Sequence, residues 1–128
     1  MKLVAIVTAL VLLAAAGTSL AATQLYPLVG GWEQFFKLEW QTGDRGGKPV
    51  VYGKIPNDWG MPAANMRLLV DGLDSSGAVV TQRVEWLGSM LQPGMRAQFE
   101  IRMPQAAPSY RVSVFAFDWV QASGGELR

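Results

Sequence analysis

Apolar and polar residues alternate with a period of two along most of this chain from Trp32 onward, and turn-forming residues interrupt the alternation at short intervals. In "WEQFFKLEWQ", Trp32, Phe36, Leu38 and Trp40 fall on one side and Glu33, Phe35, Lys37 and Glu39 on the other, which predicts a half-buried strand. "TGDRGGK" then supplies a loop or hairpin. A second strand is predicted over "PVVYGKIPN", with Val51, Gly53 and Ile55 on one face; Pro56 has no N–H for a ladder and should end it or sit at an edge. After the loop "NDWGMPAAN", the stretch "MRLLVDGLD" sets Met66, Leu68 and Val70 against Arg67, Leu69 and Asp71. "DSSG", residues 74–77, has the aspartate-first, glycine-last order of a β-turn. "AVVTQRVEWLGSM" extends again with Val80, Val84 and Trp86 on a shared face, and "QPGM", with Gly94, turns the chain. The cleanest alternation is "MRAQFEIRMP", where Met95, Ala97, Phe99, Ile101 and Met103 point inward and Arg96, Gln98, Glu100 and Arg102 outward.

The last strand is "YRVSVFAFDW", residues 110–119. Strict alternation lines the core with Tyr110, Val112, Val114 and Ala116 and sends Phe115, Phe117 and Trp119 to the opposite face. A strand apolar on both faces is covered twice or faces a partner. The internal cover would be the N-terminal "TQLYPLVGGW" or the C-terminal tail; the external one makes Phe115, Phe117 and Trp119 a binding surface. Trp59, in "PNDWGMP", is either an exposed anchor on such a surface or a plug over the open end of the fold. Tyr110 occupies the place of a tyrosine corner at the start of a late strand, where its hydroxyl would bond local backbone.

No segment sustains a 3.6-residue period. Strands separated by turn signals every ~8–12 residues predict an all-β sandwich of six to seven antiparallel strands, because an antiparallel sheet with one apolar face needs a second sheet to cover it. The domain is placed at residues 32–120, after an extension over 22–31 and before a flexible tail over 121–128.

The N-terminus changes the setting. Met1-Lys2, the apolar run "LVAIVTALVLLAAA" and the small residues of "GTSLAAT" have the layout of a secretory signal peptide over residues 1–21, with Ser19-Leu20-Ala21 as the cleavage site. The expected location is periplasmic or secreted. Contact with a membrane arises only if the leader is retained, and its apolar run is shorter than the ~20 residues of a spanning helix. Removing the first 21 of 128 residues leaves 107, enough for one domain. Loss of Lys2 takes the eleven basic residues to ten, against ten acidic, and the basic residues are scattered singly. That balance excludes a nucleic-acid footprint, which needs clustered positive charge.

The chain has neither cysteine nor histidine. The common zinc ligand sets, cysteine nucleophiles and serine-histidine triads are therefore excluded, and packing alone must hold the exported fold. Carboxylates remain: Asp74, Glu85, Glu100 and Asp118 lie on or beside strands, but Asp74 opens a turn and the two glutamates alternate outward from apolar neighbours. Asp71 and Asp74 lack the dense oxygen run of a calcium loop, and "GDRGGKP" lacks Walker spacing. The expectation is a protein with no catalytic residues, cofactor or metal.

From "VVYGKIPN" to "YRVSVFAFD", residues 50–118, the chain resembles the small immunoglobulin-like or fibronectin-III-like domains of bacterial envelope proteins, in the manner of the FxLYD type. Gly53 and Asn57 answer to a G-x-v-x-N element, Asp74 and Gly77 to the D-x-x-G turn, and Pro93 and Gly94 to the next turn. Phe99 and Ile101, then Tyr110, Val112 and Val114, answer to the two following strands, while "GLD" stands where the LYD signature would. The resemblance implies an immunoglobulin-like sandwich acting as an accessory or interaction module. Its expected partner is another envelope protein; the alternative is a glycan or peptidoglycan bound by exposed tryptophans.

Overall fold

The computed structural model describes residues 23–121, so residues 1–22, with the expected leader, and the residues beyond Gln121 lie outside the described residues. Six strands follow in order: β1 Glu39–Arg45, β2 Lys48–Pro56, β3 Ala63–Leu73, β4 Val79–Trp86, β5 Arg96–Arg102 and β6 Ser109–Trp119. They form two three-stranded antiparallel sheets, β1-β2-β5 and β4-β3-β6, packed as an all-β sandwich. The core between them holds Val51, Ile55, Met66, Leu68, Val70, Phe99, Ile101, Val112 and Val114, largely the residues that alternation points inward. Asp74 and Gly77 close the β3–β4 turn: the Gly77 N–H bonds the Asp74 carbonyl, and Gly77 adopts a φ of 90°. Tyr110 makes its local bond, with its hydroxyl accepting from the Ala107 N–H at 3.0 Å.

Four details of the alternation are corrected. Residues 32–38 are not a strand: Gly31, at a φ of 78°, starts a 3-10 turn over Trp32–Gln34, and β1 begins only at Glu39. The reason lies in the partner. Glu39 pairs with Lys54, and a longer β1 would meet Pro56, the last residue of β2, which has no N–H to give. The loop expected over 42–48 shrinks to Gly46-Gly47, whose φ values of 64° and 82° suit the type I′ hairpin that matches strand twist. Met95 precedes β5 and is exposed instead of inward.

The fourth correction answers what covers β6. Leu68 pairs with Val114, but its neighbour Arg67 pairs with Ala116, so Phe115 is an extra residue in a β-bulge. One extra residue reverses the parity of everything after it. Ala116 turns away from the core, while Phe117, at 8% exposure, turns into it and Trp119 packs against it.

The other face of β4-β3-β6 is crossed by the N-terminal extension, the internal cover considered above. Leu25 exchanges two hydrogen bonds with the Gln82 side chain on β4, and the Leu28 N–H bonds the Phe115 carbonyl on β6 at 2.8 Å. Two strand spacings separate β4 from β6, roughly 10 Å, which three extended residues span. Beneath runs β3, where Leu69 is fully buried although it points away from the core between the sheets.

Candidate functional sites

Of the four residues read as a candidate surface, the fold brings Trp59, Phe117 and Trp119 together and leaves Phe115 apart. Phe35 and Phe36, carried across the end of the sandwich by the 3-10 turn, join the first three. Phe36 lies edge-on to Phe117 at 5.0 Å between centroids and stacks with Trp119 at 5.7 Å. Phe35 meets Trp59 at 4.6 Å and Trp119 at 5.2 Å, both edge-on. Trp59 is thus a plug over one end of the core with an outward side, 44% exposed. Its loop is held by Asn57, which is fully buried. The Asn57 amide donates to the Met61 and Leu91 carbonyls at 2.8 and 2.9 Å and accepts from the Trp59 N–H at 2.9 Å. The Asn57 backbone also bonds Met95 and Gly94, so this residue joins the 57–61 loop to the 91–95 turn.

Phe115 belongs to the second region, the outward face of β4-β3-β6. There the register aligns Trp86 of β4, Arg67 of β3 and Ala116 of β6. The Arg67 guanidinium lies 4.6 Å from the Trp86 ring centroid and 6.0 Å from that of Phe115, in cation–π range of both. Four residues further along β3, Asp71 is buried but paired: Arg111 donates to its Oδ2 at 2.8 and 3.0 Å, and Gln82 to its Oδ1 at 2.8 Å. Since Gln82 also clasps Leu25, this polar row fastens the N-terminal segment to the sheet. The segment leaves Tyr26 and Leu28 63% and 67% exposed, and Trp86 is 58% exposed. Sequence reasoning placed Trp86 with Val84 on one face but did not single it out, since alternation alone does not say which face meets solvent.

The carboxylates are separately engaged. Asp74 accepts from the Ser76 hydroxyl and from the Ser76 and Ala78 N–H groups, which hold its carboxyl below the usual range. Glu85, expected outward, instead stands across from the inward Leu68 on the edge strand β4 and pairs with Arg83 at 3.2 Å; Glu100 pairs with Arg45 at 2.6 Å, and Asp118 accepts from Asn65 at 2.8 Å. Among the described residues, no group of three or more acidic side chains is placed to hold a metal ion, and no helix is long and apolar enough to cross a membrane. No family model, curated protein or solved structure matches this chain.

Proposed function

We propose that this chain is a non-catalytic, exported binding module of the FxLYD-like kind, docking another envelope protein through the outward face of β4-β3-β6. The observation that carries the reading is that Trp86 and the segment bearing Tyr26 and Leu28, the three most exposed large apolar side chains among the described residues, lie on the face where Arg67 bridges Trp86 and Phe115. Solvated aromatics around an arginine are the composition of interface hot spots. The face is also rigid, because the Asp71–Arg111–Gln82 row fixes the segment that carries Tyr26 and Leu28.

Capture of the tagged protein from crosslinked cells, followed by mass spectrometry, tests this against a Leu28→Ser, Trp86→Ser double variant. Both side chains are exposed, so the variant keeps the wild-type melting profile. The expected result is one specific envelope protein, lost with the variant. Recovery of the same proteins with both forms, or of none, would overturn the assignment.

A further inference from the structure

An open cavity of about 860 Å³ lies against the other sheet, lined by residues 39–41, 52–54 and 98–100 of its three strands and by Leu38 just before β1. Small-ligand sites span ~300–1,000 Å³. The register places two complete rungs here, Glu39–Lys54–Gln98 and Gln41–Tyr52–Glu100. Both alternate with the inward Val51, Ile55, Phe99 and Ile101, so their side chains stand on the solvent face of β1-β2-β5.

The chemistry of these rungs is that of a neutral polar ligand. Tyr52, on the central strand, leans over Gly43, where a Cβ would come within 3.2 Å of its Cε1. The missing side chain lets the ring settle toward the sheet and offer a flat apolar platform, and its hydroxyl lies 3.4 Å from Gln41 Oε1. Around it stand two amides, two carboxylates and an ammonium group, which supply donors and acceptors at strand spacing, ~4.8 Å. The charges cancel: Glu100 is paired with Arg45 at 2.6 Å, and Glu39 stands directly across from Lys54. A polyanion therefore gains no net attraction, and an apolar peptide or acyl chain would strand these polar groups without partners.

We propose that this groove binds a short neutral oligosaccharide, with a sugar ring stacked on Tyr52 and its hydroxyl or acetamido groups bonded by Gln41, Gln98 and Glu39. The site is distinct from the protein-docking face on the opposite sheet and from the tryptophan end of the sandwich, and it stands or falls independently of the docking reading.

Titration of the ¹⁵N-labelled processed protein with chitohexaose, cellohexaose and maltohexaose, followed by amide chemical shifts, tests it. Saturable shifts centred on residues 39–41, 52–54 and 98–100 are expected with at least one of the three. Gln98→Ala, at an exposed position that keeps the fold, and Tyr52→Ala should each weaken that binding about tenfold or more, as the loss of a site anchor does. Trp59→Ala and Trp86→Ala should leave it unchanged. An absence of shifts into the millimolar range with all three sugars would overturn the proposal, as would shifts centred on Trp59 and Trp119.

Discussion

Asn57 shows how much of this fold rests on one polar side chain. It is fully buried, its amide satisfies two backbone carbonyls and one N–H, and one of those carbonyls, of Leu91, is 34 residues away in sequence. Asn57→Ala removes the side-chain partner of the Met61 carbonyl and of the Trp59 N–H, while the Leu91 carbonyl keeps its bond from the Ala63 N–H. A buried polar group left unpaired costs ~1–3 kcal/mol, so the variant is expected to lose about 1–3 kcal/mol in urea unfolding and to loosen Trp59. A loss well under 1 kcal/mol would mean that the two loops hold together without it. The turn at Asp74 and Gly77 was legible because every bond in it closes within four residues. The role of Asn57 was not, because its distant partner comes close only once Ala63 and Leu91 have bridged the two loops.

At the scale of elements, the strands were legible and their phase was not. Period-two patterning located five of the six strands well, since most have an inward face that must be apolar; the edge strand β4 does not, its Arg83 and Glu85 standing across from the inward Val70 and Leu68. It did not reveal the bulge at Phe115, because an extra residue in β6 is defined by its pairing to Arg67 and Leu68 of β3. A second irregularity lies opposite it: Ala64 pairs with Asp118 and Arg67 with Ala116, leaving one more residue in β3 than in β6. Asn65, within that interval, has a φ of 54°. Asparagine and glycine enter this left-handed region readily, and other residues pay roughly 1–2 kcal/mol. Asn65→Val is therefore expected to lower stability by about 1–2 kcal/mol or more by denaturant titration, with Asn65→Gly close to neutral. Equal losses in the two variants would show that the Asn65–Asp118 hydrogen bond matters and the backbone does not.

For the molecule as a whole, the two sheets leave an open end that Phe35, Phe36, Trp59, Phe117 and Trp119 fill. Phe36 is central, buried and in contact with both Phe117 and Trp119. Phe36→Ala should cost about 3–5 kcal/mol, as should Phe99→Ala between the sheets, against a total of ~5–15 kcal/mol for a domain. Calorimetry that left Phe36→Ala at the wild-type melting temperature would mean that the end is closed without it. The sequence by itself determined the all-β class, the positions of the turns and most of the inward faces, because these follow from spacing between near neighbours. Only the tertiary structure decided that Phe117 and Trp119 face inward, that residues 32–38 cross an end of the sandwich instead of extending a strand, and that residues 25–28 cover the back of β3. Each of those outcomes depends on which backbone groups find a partner across the fold: the bulge on β3, the missing N–H of Pro56, and the Gln82 side chain that receives Leu25.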